Sequence, residues 1–311
     1  MSAAAKAKTP AEGQAQSQAT TSGTNVAPTN PNPKPRWHFG HPHLAGGRGL
    51  NWFCVSLFGV ITLVAVLAQH LAQYDPVQPA GKAKLPIGSA DHLLGTDHIG
   101  RDLLSRIIIG LQTSWLVALA IVALSLVAGT VVGVIAGTVG GWVDKVLMRF
   151  TEVFQSLPTL LVAMAVAMAL GHGIKNTMIA ILVVWWPYYA RIIRGEVRAI
   201  ASRPHVEAAR QAGASWPRVM LFHIIPGMVP TAIITASLDV GSTVLTLATL
   251  SFMGLGREVP FPELGADSAN TLDQLSTAWW IPVLPGMAVM VLTLVANLTG
   301  DAVRRLLAGR R

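Results

Sequence analysis

Three groups of polar residues stand out in a chain that is otherwise apolar over long stretches. The first runs Arg191-Ile-Ile-Arg-Gly-Glu-Val-Arg198 and on from Ser202 to Pro226. Arg191, Arg194 and Arg198 fall at i, i+3 and i+7, on one helix face, at a C-terminal end where cations suit the dipole. A short helix is expected next, with Ser202 as N-cap, Pro204 in its first turn and Gly213 in the left-handed position that ends it. Ser215 then caps a second short helix, with Pro217 in its first turn, which must end or bend before Pro226. The expected product is helix, glycine turn, helix, lying flat under a membrane. Glu207 is the one acid of the first helix, amid Arg203 and Arg210. Small Ala208 and Ala209 leave a shallow face that can seat in a groove, and Gly213 permits a sharp reversal. Read blandly this is a basic interfacial loop; read sharply it is a docking surface for another protein, and the second reading is preferred.

The second group is His92-Leu-Leu-Gly-Thr-Asp-His-Ile-Gly-Arg-Asp-Leu-Leu-Ser-Arg-Ile-Ile-Ile-Gly110. Its polar core is Gly95, Thr96, Asp97, Gly100, Arg101, Asp102, Ser105 and Arg106. Asp97 is expected to cap a helix on which Asp102 and Arg106 pair at i, i+4, making an amphipathic elbow. The third is a single acid, Asp239, inside an apolar run. A carboxylate facing lipid costs roughly 2.5–3.5 kcal/mol on insertion scales, so Asp239 should face a pore or a partner helix. His38, His41 and His43 form a further cluster, read as part of a solvated tail rather than as a metal site. Catalytic signatures are missing from the sequence: it has no His-Glu-x-x-His, no convincing Ser/His/Asp arrangement and no paired intramembrane acids. It also has no Gly-x-x-x-x-Gly-Lys-Ser/Thr phosphate loop, so ATP binding by that route is excluded.

The elements that position these groups follow from composition. Of 311 residues 52% are hydrophobic and 12% charged, with a mean hydropathy of +0.51. Soluble domains carry about 25% charged residues, so a soluble enzyme is nearly excluded and an all-α polytopic membrane protein is expected. The lone Cys54 forbids an internal disulfide and a cysteine-only metal cluster. Residues 1–50 are polar and aperiodic and are read as a disordered tail. Crossing roughly 30 Å of hydrocarbon takes about 20 apolar residues. Six spans are expected: Trp52–Leu71, Ser114–Val139, Val153–Ile174, Asn176–Ala190 (completed by snorkelling Arg191 and Arg194), Pro226–Gly254 and Ile281–Leu298. Six spans put both termini on one side. With the tail inside, the inner segments carry 17 of the 23 Lys and Arg and the outer ones 6, so both termini are read as cytoplasmic. The +8 net charge then belongs to cytoplasmic loops, and nucleic acid is not an expected partner.

Ser125, Gly129, Gly133, Gly137 and Gly141 recur every fourth residue. On a helix they form one nearly side-chain-free stripe that lets another backbone approach closely. Pro158, Pro187, Pro226, Pro230, Pro282 and Pro285 stand within or beside the spans and are expected to bend helices.

Two blocks carry a family resemblance. Glu207, Ala208, Ala209 and Gly213, followed by Ile224, Ile225 and Pro226, resemble the EAA loop of ABC importer permeases. The Gly-Thr-Asp block within His92–Gly110 is similar to the signature of the dipeptide/oligopeptide/nickel permeases, in the subunit called the C-type partner. The likeness continues through Gly140–Arg149, Leu157-Pro158, Leu250–Gly256, Pro260, Pro262, Gly265 and Asn297–Asp301, covering about residues 51–305. It departs where the family often has an acid and this chain has Leu247, and at Leu264 and Gln112.

The resemblance implies a type I ABC importer permease in a bacterial plasma membrane. The expected division is a cytoplasmic tail (1–50), a first span and outer elbow region (51–110), a transmembrane domain (111–301) and a basic cytoplasmic C-terminus (302–311). It implies that the EAA loop inserts between lobes of an ATPase subunit. Partners would be a B-type permease chain, two ABC ATPases and an extracytoplasmic binding protein; ATP and Mg would sit on the ATPases, with no cofactor in this chain. Di- or oligopeptide is the favoured cargo, with nickel as the alternative in the same family. A stand-alone secondary transporter is the reading from another class, disfavoured by the scarcity of intramembrane ionisable groups.

Overall fold

The computed structural model describes residues 48–308, so the histidines of the tail lie outside the described residues. Eleven α-helices account for most of it: α1 (Arg48–Val66), α2 (Ala68–Leu71), α3 (Leu103–Val139), α4 (Gly141–Ser156), α5 (Thr159–Leu170), α6 (Ile174–Ala201), α7 (Pro204–Gln211), α8 (Trp216–Val219), α9 (Ile225–Phe252), α10 (Leu264–Asn270) and α11 (Trp280–Ala308). Among the described residues there is no β-strand.

Four helical stretches are long and apolar enough to cross a membrane: Gly49–Val66, Leu103–Val139, Trp216–Phe252 and Trp280–Leu307. A fifth is obtained only if α4 and α5 count as one span, and they meet at 91°. The third span expected over Val153–Ile174 is therefore broken at Pro158, one of the prolines expected to bend helices. Pro158 disfavours helical backbone at Leu157, which is extended at φ −99° and ψ 149°. The second span also differs from expectation. α3 starts at Leu103 and runs 37 residues without interruption, about 55 Å at 1.5 Å per residue, so no separate elbow helix precedes it. α11 likewise runs through position 302 to Ala308 as one helix.

α6 is the centre of the packing. It lies along α3 and also touches α4, α5 and α9. One apolar cluster gathers α1, α3, α9, α10 and α11 around Trp115, Val244, Leu264 and Leu292. The Trp115 indole lies 5.0 Å from the Phe58 ring and donates to Thr62 Oγ1 at 3.0 Å. A second joins α3, α5, α6 and α9 around Ile121, Ile181 and Leu247. A third holds α7 and α8 to the ends of α6 and α9. The apolar side chains left outside, such as Val60, Leu63, Val127, Val131, Leu161, Met290 and Leu294, make the outer surface one that a bilayer matches.

Candidate coupling loop, outer lock and intramembrane acid

The loop between α6 and α9 is anchored by apolar residues and capped by backbone. Val206 of α7 is fully buried against Ile193, Val197, Ile200, Val219, Ile224 and Met228. Around it Glu207, Ala208 and Arg210 are exposed and Ala209 is half-buried. Gly213 sits at φ +82°. Its N–H donates to Arg210 O at 3.0 Å, and Ala214 N–H donates to Ala209 O at 3.1 Å. That pair of bonds is a Schellman cap, which needs a left-handed residue at Gly213. Two expectations are corrected. The N-cap of α7 is Arg203, while Ser202 closes α6, because the α6 ladder runs one turn further than the sequence shows. The helix opened by Ser215 leaves regular α geometry after Val219, before Pro226 as expected, but it does not lie apart from the span: Trp216–Phe252 is one continuous helical stretch. The missing donor of Pro226 is absorbed by a π-turn over Met220–Ile224, in which Ile225 N–H reaches back to Met220 O. The loop thus presents Glu207, Ala208 and Arg210, the Trp216 ring with Arg210 stacked 4.7 Å above it, and exposed Leu221 and Phe222.

The Gly-Thr-Asp block is a buried lock rather than an elbow. Asp102, not Asp97, caps the helix: its side chain accepts Ser105 N–H at 2.8 Å and binds His92 Nδ1 at 2.9 Å. Asp97 takes the N–H groups of Ile99 and Arg101, each at 2.9 Å, and the Arg101 guanidinium at 2.6 Å. Thr96 Oγ1 donates to Lys82 O at 2.5 Å and accepts Leu85 N–H at 2.9 Å. Gly95 and Gly100 have positive φ and pack on the Leu85 and Gly81 carbonyls. Ser105 Oγ accepts Tyr74 N–H at 3.2 Å. Arg106 does not pair with Asp102. It reaches Asp267, 161 positions away, at 2.5 Å, with bonds to Pro76 O and Pro260 O. Asp97, Arg101, Arg106 and Asp267, with His98, line a cavity of about 390 Å³.

Of the small-residue stripe, Gly129, Gly133 and Gly137 face α6. A Cβ at Gly129 would stand 2.7 Å from Trp186 O, one at Gly133 2.6 Å from Ala190 O, and one at Gly137 2.8 Å from a Val197 methyl. Gly141 lies beyond the end of α3, at φ +57° with open space around it, and takes no part.

Asp239 joins α9 to α6. Its Oδ2 accepts the Trp185 indole N–H at 2.5 Å and the Tyr189 hydroxyl at 2.7 Å, and its Oδ1 accepts Ser242 Oγ–H at 2.8 Å.

Further buried acids are not singled out from the sequence, although Asp144 lies within the Gly140–Arg149 block. Asp144, nearly buried on α4, binds the guanidinium groups of Arg194 and Arg198, fifty residues away. Glu263 stands fully buried at the N-cap position of α10, its backbone carbonyl accepting Asp267 N–H at 2.8 Å, and burial pushes its carboxyl up to about 7. Burial also raises Asp267, with Arg106 opposing it.

Comparison with known proteins agrees with this architecture. The family model described as "Binding-protein-dependent transport system inner membrane component" matches residues 129–311. The probable D,D-dipeptide transport system permease protein DdpC of Escherichia coli K12 is 38% identical over 248 residues, 80% of this chain and 83% of that one. The di/tripeptide transport system permease protein DppC of Pseudomonas aeruginosa UCBPP-PA14 is 38% identical over 251 residues, 79% and 83% of the two chains. The nickel transport system permease protein NikC of E. coli K12 is 34% identical over 248 residues, 80% and 90%. Among solved structures, a chain of the inward-facing MetNI methionine ABC transporter is similar in fold, with a TM-score of 0.53 at 17% identity over 66% of this chain and 96% of that one. The chain belongs to the family of binding-protein-dependent transport system inner membrane components.

Proposed function

We propose that the chain forms half of the translocation pore of an ATP-driven importer for di- or oligopeptides, and that the α7–α8 loop couples it to cytoplasmic ATPases. The observation that carries this is the loop's construction. Val206 fixes α7 to the ends of α6 and α9, while Glu207, Ala208 and Arg210 stay outside. A push on α7 is thereby passed to two long helices that meet at Asp239. The peptide cargo is supported by the names of the 38%-identical relatives; nickel is the second reading, supported by the 34%-identical NikC.

In this reading α6 is the sixth span. Its 28 residues are long enough, and Arg191, Arg194, Glu196 and Arg198 at one end, rather than a short helix, keep its hydropathy low. Both termini are cytoplasmic, since the Lys and Arg surplus lies on that side. The partners are a B-type permease chain, two ABC ATPases carrying ATP and Mg, an extracytoplasmic binding protein and the lipid bilayer. This chain itself holds no cofactor and is no enzyme on its own. The test is co-purification of a tagged chain with an ATPase, together with uptake of labelled dipeptide and of nickel in the same cells. Peptide uptake that requires the chain and the ATPase supports the reading. Nickel uptake alone replaces the cargo, and a chain that transports with no ATPase overturns it.

A further inference from the structure

We propose that Asp239 anchors a transport site for a primary ammonium group, the charged end of a peptide cargo; this rests on the peptide-import reading above. An ionised carboxylate has about four acceptor positions, and three are taken by neutral donors: Trp185 Nε1, Tyr189 Oη and Ser242 Oγ. The position left over is on Oδ1, beside Ser242, which is exposed. Among the described residues no Lys, Arg or His forms an ion pair with Asp239. A charge inside an apolar span is thus held in place yet left electrically unmatched, which calls for a cation.

The surroundings favour a compact ammonium. Asp239, Ser242, Thr246 and Thr249 follow at spacings of three and four, so they share one face of α9, and none of them is buried. That face carries a row of hydroxyls beside the carboxyl group, each bonded to a carbonyl of its own helix. Half-buried Trp185, whose N–H edge meets Asp239, and Tyr188, 48% exposed and 5.7 Å from the Tyr189 ring, put aromatic rings in the neighbourhood, and ring faces attract cations. A metal ion would need more ligands, and no group of three His, Cys, Asp or Glu is poised for one among the described residues. A site that empties and refills in each transport cycle has to hold its anion in both states. Three neutral donors do this for the empty state, and the cargo's ammonium matches the charge in the loaded one.

The test reads local charge on the assembled transporter in membranes, without needing peptide uptake. In a Cys54→Ala background, Ser242→Cys is labelled with a trimethylammonium-bearing and a sulfonate-bearing methanethiosulfonate. The cationic reagent should react faster, and Asp239→Asn should lower the cation-to-anion rate ratio on the order of tenfold; Asp239→Glu should keep it. Alanyl-alanine should slow the cationic reaction, and its N-acetylated form should not. If Ser242→Cys assembles poorly, Thr246→Cys on the same face carries the same readout. Absence of labelling at both positions, meaning that lipid or the partner chain covers the face, overturns the proposal, as does a ratio indifferent to Asp239. Loss of the charge effect with peptide uptake intact defeats this site alone, whereas an intact charge effect without peptide uptake defeats the import reading.

Discussion

Gly133→Ala tests how closely α3 and α6 depend on bare backbone. The added Cβ would sit 2.6 Å from Ala190 O, 3.0 Å from Arg194 N and 3.0 Å from Ile193 Cβ. Two of these three neighbours are backbone atoms, so no side chain can swing away. Carbon–oxygen contacts settle at about 3.3–3.6 Å, so the helices must part locally by roughly 0.7–1 Å. Gly129 and Gly137, packed along the same seam, would lose contact as well. Overpacking of this kind costs about 1–3 kcal/mol, which is about 5- to 150-fold in the folded population. The measurement is the fraction of transporter surviving a heat step in detergent, scored by size-exclusion chromatography. Gly195→Ala on α6 is the control: nothing lies within 4 Å of its new Cβ, and replacing a helix-interior glycine should stabilise by about 0.5–1 kcal/mol. The two variants should therefore move in opposite directions. Equal heat survival would refute the close-approach argument, because it would mean that α6 yields to a methyl group without cost.

Gly213→Leu should leave insertion intact while transport falls sharply, since a side chain at φ +82° costs on the order of 1–2 kcal/mol and the Schellman cap that orients Glu207 is lost; full uptake at normal expression would remove the docking assignment. Asp102→Ala deletes the α3 cap and strands buried His92, so thermal stability should drop by about 1–3 kcal/mol, whereas an unchanged melting curve would show that the buried Gly-Thr-Asp lock carries no load. For Glu263 the native carboxyl, at about 7, holds its proton over a range in which the unfolded one, near 4.3, has lost it. Native protein then binds more protons than unfolded protein, so this group's contribution declines as pH rises from about 4.3 to 7 and is level beyond. Glu263→Gln should flatten that decline and gain most at pH 8; parallel pH profiles for the two proteins would rule out a buried, raised Glu263.

What the chain reveals without its fold is what neighbours along it decide. Apolar runs locate α1, α3, α9 and α11, because hydrocarbon thickness is read directly as residue count. Gly213 announces a left-handed cap, since only glycine enters that region freely. The four-residue period of Gly129, Gly133 and Gly137 marks a close approach but not its partner. Local rules misplace what distant residues decide. Asp102 and Arg106 have the spacing of an ion pair, yet Arg106 goes to Asp267, which the fold carries next to α3 from 161 positions away. Asp144 finds Arg194 and Arg198 only because the fold packs α4 against α6. Pro226 reads as a helix breaker, but burial of Val219, Ile224 and Met228 on α6 holds the helix together, and a π-turn takes up the missing bond. Asp239 is visible as a costly acid from its apolar surroundings alone. That Trp185 and Tyr189 hold it, and that one oxygen stays open, follows from helix packing, because hydrogen-bond partners fifty residues apart are fixed by the crossing of α6 and α9 and leave no periodic trace in the chain.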